Sequence, residues 1–180
     1  MEQLTDNEII ERVARGNTEA FGLLVGRYTD RLYTLAVRIT NDREAAQDIV
    51  QEAFIRAYNK LDGFRCQCAF SSWIFRIAYN LSIGSCRRRG RRPLVRLTDR
   101  EVRAADNATA EGPYDEECVG RMRRALDRLS AEERALVTLY YEEERQMAEI
   151  AAIVGITETN AKVRLHRVRQ RIRRYMEEEQ

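Results

Sequence analysis

The chain has 180 residues, a length that allows one ordinary domain or two small ones. Hydrophobic residues make up 44% and charged residues 33%, with 9 glycines and 2 prolines, a composition that favours helices over β-sheet or disorder. No apolar run reaches the length of a membrane span and no signal-peptide pattern is visible. We therefore expect a cytoplasmic protein without membrane insertion, whose 4 cysteines are reduced.

The net charge of +2 conceals two arginine clusters that contain almost no acids. The clusters consist of Arg87, Arg88, Arg89, Arg91 and Arg92, and of Arg164, Arg167, Arg169, Arg171, Arg173 and Arg174. Two separate basic clusters fit contact with a polyanion at two places. A solvated helix face is the alternative, which is less favoured here because each cluster ends an amphipathic segment.

Four helices are predicted in the first half of the chain, the last of which runs into the first arginine cluster. Thr5 and Glu8 form a capping box for the first helix. The second carries apolar residues every three or four positions and should stop near Asn41, after which Asp42 can cap the third. A short loop then leads into a fourth helix, over about residues 71–88.

The apolar periodicity disappears over residues 91–114, which are rich in Arg, Asp, Ala and Thr and contain Gly-Pro near their end. This segment is predicted to be a flexible linker. It separates a first domain, residues 1–90, from a second, residues 115–180. With no β pattern in either part, the sequence predicts an all-α fold of two small helical domains.

The second domain carries the layout of a helix-turn-helix. Ser130 begins a helix with its own capping box, and that helix is expected to include Tyr140. A short amphipathic helix then ends at Gly155, a residue that readily takes the positive φ of a tight turn. Thr157 caps a final basic helix, so the second domain is predicted to bind DNA.

The final helix presents a polar and basic face opposite its apolar stripe. That face carries Thr159, Val163, His166, Arg167 and Gln170, flanked by Lys162, Arg164 and Arg174. Such side chains can hydrogen-bond base edges and neutralise phosphates. An ordinary helical hairpin with a solvated basic face is the alternative.

Two further surfaces are predicted on the first domain. The fourth helix carries a stripe of Trp73, Arg76, Asn80, Gly84 and Arg87. This stripe suits binding of unpaired bases, because aromatic rings stack on bases at about 1–3 kcal/mol each. The alternative is that Trp73 belongs to the core.

The third helix carries Asp48, Gln51, Glu52 and Ile55 on its outer face. An exposed isoleucine among acids suggests a docking surface for a basic partner.

No catalytic or metal-ligating constellation is visible. The single histidine, His166, lies on the predicted DNA face, and the one-residue gap between Cys66 and Cys68 fits zinc poorly. The sequence therefore predicts a protein that is not an enzyme and has no metal, cofactor or small-molecule substrate. A redox-sensing role for Cys66 and Cys68 is a separate hypothesis.

Five sequence strings, taken together and in this order, resemble one protein family over nearly the whole chain. They are residues 48–58 (DIVQEAFIRAY), 70–80 (FSSWIFRIAYN), 129–134 (LSAEER), 149–156 (EIAAIVGI) and 162–169 (KVRLHRVR). The family is the extracytoplasmic-function (ECF) sigma factors of bacterial RNA polymerase, the members of the sigma-70 superfamily that have only regions 2 and 4.

The resemblance implies roles for the first domain, which corresponds to sigma region 2. Asp48, Gln51, Glu52 and Ile55 match the part that grips the clamp of core RNA polymerase. The loop from Phe64 to Ser72 matches the segment that captures a flipped base of the −10 promoter element, and Asn80 matches a pocket position. The full set expected at the −10 element is Phe64, Arg65, Ser71, Ser72, Trp73, Arg76, Asn80, Arg87 and Arg88.

The second domain corresponds to sigma region 4. The residues expected to read the −35 element are Thr159, Lys162, Val163, Arg164, His166 and Arg167. The implied partners are the clamp and flap of the polymerase β and β′ subunits, promoter DNA and an anti-sigma factor. A stand-alone helix-turn-helix regulator of duplex DNA is the alternative, but it would need neither the acidic stripe nor the Trp73–Asn80 stripe.

Overall fold

The computed structural model of the chain describes residues 4–64, 68–90 and 116–178. Within these ranges the chain is helical and contains no strand, as the sequence predicted. The α-helices are α1 (Asp6–Ala14), α2 (Phe21–Thr40), α3 (Arg43–Asn59), α4 (Phe70–Gly90), α5 (Glu116–Asp127), α6 (Ala131–Val137), α7 (Met147–Val154) and α8 (Glu158–Glu177). None of the helices in these ranges is long and apolar enough to cross a membrane.

The predicted caps of the first domain are present. The Thr5 N–H donates to Glu8 Oε2 at 2.7 Å, and the Glu8 N–H donates to Thr5 Oγ1 at 3.3 Å. These hydrogen bonds from Thr5 lower the pKa of Glu8. Helix α2 ends where Asn41 adopts the left-handed conformation, with φ of 52°. The Asp42 side chain then accepts a hydrogen bond from the Ala45 N–H at 2.9 Å and starts α3.

Helix α2 lies at the centre of the first domain, in contact with α1, α3 and α4. Its inward residues recur every three or four positions and are buried; they are Phe21, Leu24, Tyr28, Leu32, Leu35, Ala36 and Ile39. The Tyr28 hydroxyl donates a hydrogen bond to Asp6 and so joins α2 to α1. Burial and this hydrogen bond raise the pKa of Tyr28 to about 12, so the donor stays protonated at neutral pH.

The helix that begins after Ser130 differs from the sequence prediction. Its α-helical part ends at Val137, and Thr138–Glu142 form a π-helical turn in place of further α-helix. The Glu143 N–H bonds to Thr138 O at 3.0 Å, and Glu144 then takes a positive φ of 51°. This wide turn redirects the chain toward the first domain.

The predicted helix-turn-helix is formed by α7 and α8. Gly155 has φ of 79°, and its N–H bonds to Ala151 O at 2.8 Å, closing α7. Thr157 caps α8 through a 3.2 Å hydrogen bond from the Asn160 N–H. Ala151 and Ala161 are buried in these two packed helices, where larger side chains would hold them apart.

The two domains pack against each other. Helix α2 contacts α6, and α4 contacts both α6 and α7. Five residues of the second domain belong to the same buried apolar cluster as the core of the first; they are Ala135, Leu136, Leu139, Ile150 and Ile153. The predicted linker over residues 91–114 lies outside the described residues.

We predict that Leu32→Ala lowers the free energy of unfolding by about 2–5 kcal/mol, because it opens a cavity at a fully buried position of α2. The matched control is Leu23→Ala on the same helix, where the leucine is 51% exposed and the change should stay within about 0.5 kcal/mol. Urea denaturation followed by circular dichroism measures both. Equal losses in the two variants would contradict the central role given to the buried face of α2.

Candidate polymerase and DNA interfaces

A shallow groove between α2 and α3 marks the first candidate surface. It has a volume of about 720 Å³ and is lined by apolar Val25, Val50 and Phe54 among polar neighbours. Ile55 also lines it and is 49% exposed, on the face predicted for polymerase binding. An apolar floor with an exposed isoleucine can receive the side chains of a partner helix.

One acid lines this groove, and others lie nearby on α3. Asp48 and Gln51 are exposed beside Ile55, and Asp30 lines the groove from α2. Glu52 of the same predicted set pairs with Arg56 at 2.6 Å within α3. Of the four residues predicted to grip polymerase, Gln51 and Ile55 line this groove, while Asp48 and Glu52 line the neighbouring groove between α3 and α4. The two acids suit a basic partner.

The α4 stripe combines an aromatic cluster with exposed polar groups. The Trp73 ring lies 4.8 Å from the Phe64 ring and 5.7 Å from the Phe70 ring, centre to centre, and Trp73 is half-buried. Arg76 and Asn80 are exposed further along the helix. Trp73 thus contributes to packing and still keeps part of its surface accessible, so the two interpretations of this residue are compatible.

Two residues predicted at the −10 element contact the second domain. Ser72 is 8% exposed, and its hydroxyl donates to Glu149 Oε1 at 3.4 Å. Arg145 Nη1 donates to the Ser71 hydroxyl at 3.1 Å. Burial alone would raise the pKa of Glu149, but hydrogen bonds from the Gln146 N–H and Arg145 outweigh it and lower that pKa. Arg65 lies outside the described residues.

The basic end of α4 is exposed from Arg87 to Arg89. Arg87 lies 3.7 Å from Glu132 of α6, and Arg89 pairs with Asp42 at the start of α3. Arg88 lines a second polar groove between α3 and α4. Arg87 continues the stripe of Trp73, Arg76 and Asn80 along α4, whereas Arg88 and Arg89 lie on the side of α3.

The described cysteines do not form a metal site. Cys68 and Cys118 are exposed free thiols, and Cys86 is half-buried beside Ile39 O at 3.5 Å, where burial raises its pKa. No cluster of potential metal ligands occurs in the part of the chain that the structure describes. Cys66 lies outside that part, so the redox hypothesis for Cys66 and Cys68 stays a prediction.

All six residues predicted at the −35 element are exposed on α8; they are Thr159, Lys162, Val163, Arg164, His166 and Arg167. Ala161, Leu165 and Val168 are buried on the opposite side of the helix. Lys162 pairs with Glu158 at 2.6 Å, and Arg164 Nε donates to Asn160 Oδ1 at 2.9 Å. These contacts within one helix orient the two cations along the outer face.

Other arginines of the second cluster have structural contacts that charge counting alone does not reveal. Arg169 Nε donates to the Tyr141 hydroxyl at 2.8 Å, and its guanidinium lies 5.0 Å from the Tyr140 ring centre. Arg171 pairs with Glu133 of the α6 capping box. On a helical wheel of α8, Arg169 and Arg171 lie away from the outer face. That position in the sequence could have indicated that they contact the rest of the domain rather than DNA.

Sequence models of two known domains match the chain in the same order as its two helical domains. Sigma-70 region 2 matches residues 24–92, and Sigma-70 region 4 matches residues 120–172. The ECF RNA polymerase sigma factor SigW of Bacillus subtilis is 33% identical, over 93% of this chain and 94% of its own length. This chain belongs to the ECF sigma factors.

Other relatives agree with this assignment. The ECF RNA polymerase sigma-E factor of Escherichia coli strain K12 is 34% identical over 95% of this chain and 94% of its own length. The RNA polymerase sigma-H factor of Pseudomonas aeruginosa is 33% identical over 94% and 93%. ECF sigma factors direct promoter-specific transcription initiation and are initiation factors rather than enzymes, so the alternative of a stand-alone regulator is not favoured.

Solved structures share the fold. CnrH in complex with the cytosolic domain of CnrY superposes with a TM-score of 0.71 at 24% identity, covering 96% of this chain and 97% of that one. The sigma factor RpoE of Bartonella quintana, in complex with the anti-sigma factor NepR, superposes with a TM-score of 0.64 at 24% identity, covering 87% and 96%. The all-helical fold of this chain is therefore shared with both solved structures.

Proposed function

We propose that this ECF sigma factor divides promoter recognition among three surfaces of its own chain. The α2–α3 groove docks on the core polymerase clamp, α4 holds the unpaired −10 strand, and α8 reads the −35 duplex. The observation that carries the proposal is that Ile55, Asn80 and Arg167 are each exposed on a different helix. The second domain also docks on the polymerase flap in this proposal.

Docking on the clamp combines apolar burial in the α2–α3 groove with the acids of the neighbouring α3–α4 groove. Covering Ile55 and the groove floor removes apolar surface from water. Full burial of an exposed isoleucine contributes about 1.5–3 kcal/mol, and Ile55, which is 49% exposed, can contribute roughly half of that. Asp48 and Glu52 then select a partner with basic side chains. These two charges act mainly on the rate of association and on specificity, since Asp48 is exposed and Glu52 is partly exposed to solvent.

The −10 strand is held by groups suited to single-stranded DNA. Trp73 offers a ring on which a base can stack, and Asn80 can hydrogen-bond the edge of an unpaired base. Arg87 and Arg88 lie where they can follow the phosphates. Flipping a base out of the duplex costs a few kcal/mol, so stacking together with polymerase binding must offset that cost.

The −35 duplex is read by α8 in the major groove. Its outward residues include hydrogen-bond donors, such as Arg167, beside the small apolar surface of Val163. Arginine can bind guanine through two hydrogen bonds, while an aliphatic side chain can contact a thymine methyl group. The helix-turn-helix packing of α7 against α8 presents this face as a rigid unit.

The proposed cellular compartment and the proposed regulatory partner follow from the family. We place the protein in the cytoplasm, where bacterial RNA polymerase works. An anti-sigma partner is also part of the proposal, since the RpoE of Bartonella quintana that shares this fold was solved bound to the anti-sigma factor NepR. Such a partner would control how much of the protein is free to bind polymerase.

Run-off transcription tests the proposed function directly. Purified core polymerase is combined with a pool of genomic promoters, with and without this protein. We expect transcripts that depend on the protein, and the sequences upstream of their start sites should share both promoter elements. If no transcript appears and the protein does not co-elute with core polymerase, the proposal is wrong.

Substitutions on α8 and on α4 should impair different steps of promoter recognition. Arg167→Ala should weaken binding to −35 duplex DNA by about 1–3 kcal/mol, because one base contact is lost. Asn80→Ala should leave duplex binding nearly unchanged and impair promoter opening. Gel-shift titration of duplex DNA and permanganate footprinting of the polymerase complex measure the two effects. Equal loss of duplex binding in both variants would contradict the division of roles.

Ile55→Asp should weaken binding to core polymerase about tenfold or more, since an apolar anchor is replaced by a charge. Leu23→Asp is the matched control, because Leu23 is similarly exposed, at 51% against 49%, and belongs to α2 without lining the groove. Fluorescence anisotropy of the labelled protein with core polymerase measures both. The proposed docking groove is excluded if the two variants bind core equally well.

A further inference from the structure

Helix α8 rests on the second domain along one apolar stripe. Ala161, Leu165 and Val168 of this stripe are buried, while the side chains proposed to read DNA are exposed on the opposite side. Apolar burial is non-directional, so it holds the helix down but only weakly opposes a roll of the helix about its own axis. Any such roll would displace Arg167 and the other side chains of the outer face.

One flank of α8 is held by two consecutive tyrosines of the π-helical turn. Arg169 Nε donates to the Tyr141 hydroxyl at 2.8 Å. The guanidinium also lies 5.0 Å from the ring centre of Tyr140 and 5.5 Å from that of Tyr141, distances at which an aromatic ring attracts a cation. The hydrogen bond is directional, so this contact opposes a roll that the apolar stripe would allow.

The tyrosine pair is itself fixed in place. The two rings meet edge to face, with centres 4.9 Å apart, and Tyr140 packs against the buried apolar core. Tyr141 is 53% exposed and gains little from burial, so its contribution lies in its contacts with Arg169 and Tyr140. Helical turns of the π type are rare and occur frequently at functional sites.

The opposite flank is held by a charge pair. Arg171 follows Arg169 by two residues, and side chains two residues apart on an α-helix point about 200° apart, so the two arginines lie on the two sides of the buried stripe. Arg171 Nη1 donates to Glu133 Oε1, and Glu133 Oε2 accepts the Ser130 N–H at 2.9 Å. The start of α6 therefore holds the carboxylate that binds α8.

Contacts on both flanks fix the roll of α8 more tightly than a contact on one flank. A single contact acts as a hinge, whereas two contacts on opposite sides oppose rotation in either direction. Recognition of base edges needs side chains held within about 0.5 Å and 10–20° of the productive geometry. Arg167 precedes Arg169 by two residues on the same helix, so the direction of Arg167 depends on these contacts.

We propose that Arg169 and Arg171 are positioning residues for −35 recognition, which set the roll of α8 and do not contact DNA themselves. Tyr141 and Glu133 are their fixed partners. The effect on DNA rests on the proposed function of α8, whereas the roll itself depends only on contacts within the second domain.

The test separates the position of Arg167 from the charge of α8. Arg169→Ala and Tyr141→Ala each remove the same contact, but only Arg169→Ala changes the net charge. Tyr141→Phe is a milder variant that keeps the ring and removes only the hydrogen bond, should Tyr141→Ala fail to fold. Arg173→Ala is the matched control, because Arg173 is exposed one helical turn further along α8 and has no hydrogen bond or ion pair with another described residue.

Fluorescence anisotropy measures the affinity for two labelled duplexes, the −35 duplex that run-off transcription identifies and a scrambled duplex of the same composition. Arg169→Ala and Tyr141→Ala should each lower the ratio of the two affinities about fivefold, because a misdirected Arg167 loses part of its base contact. The double variant should lower the ratio no further, since both changes remove one interaction. Tyr141→Phe should lower it about twofold. Arg173→Ala should keep the wild-type ratio, because a lost phosphate attraction weakens binding to both duplexes alike.

NMR residual dipolar couplings measure the roll of α8 relative to α6 in the full chain without DNA. The phase with which the couplings of the backbone N–H groups vary along α8 reports this roll. Arg169→Ala and Tyr141→Ala should shift the phase, whereas Arg173→Ala should match the wild type. Circular dichroism verifies that each variant keeps its helices. An unchanged phase in both Arg169→Ala and Tyr141→Ala would refute the positioning role.

Arg167→Ala distinguishes a failure of this inference from a failure of the proposed function. If Arg167→Ala lowers the affinity ratio but Arg169→Ala and Tyr141→Ala do not, the positioning role is wrong and the reading of DNA by α8 stands. An equal loss in Arg173→Ala would assign the effect to charge and would also overturn the positioning role. If Arg167→Ala leaves the ratio unchanged, the proposed reading of DNA is wrong, and the couplings still decide whether these contacts hold α8.

Discussion

One apolar face of α2, in which Leu24, Leu32 and Leu35 are fully buried, supports α1, α3 and α4 together. The α3 face proposed for polymerase and the α4 face proposed for the −10 strand are therefore held at a fixed relative position by the same helix. The second domain also contacts α2, through α6. Because a close-packed core transmits small displacements, both proposed surfaces depend on how α2 is packed.

The arginines of this chain have at least three kinds of role. Arg167 and Arg76 are exposed on the surfaces proposed for DNA, whereas Arg169 packs on the tyrosines of the π-helical turn. Arg134 and Arg145 hold the two domains together. Guanidinium suits each role because it is planar, permanently charged and able to donate several hydrogen bonds in fixed directions. Net charge alone therefore says little about where this protein would meet DNA.

The interface between the domains and the proposed −10 surface share residues. Ser71 and Ser72 lie at the start of α4 and hydrogen-bond Arg145 and Glu149 of the second domain. Nε and Nη2 of Arg145 are buried without a hydrogen-bond partner among the described residues, a cost that the other contacts between the domains offset.

The sequence by itself determined the helices, their caps and the faces that they bury. Thr5, Asp42 and Thr157 act through hydrogen bonds within three residues, and apolar spacing of three or four is a property of one helix, so local rules suffice. The tertiary structure alone decided that Glu143 meets Arg31 and that Ser72 is buried. Those contacts join residues far apart in the chain, and no periodicity encodes them. The π-helical turn could not be predicted from the sequence either, because the helix propensities of its residues are equally compatible with an ordinary α-helix.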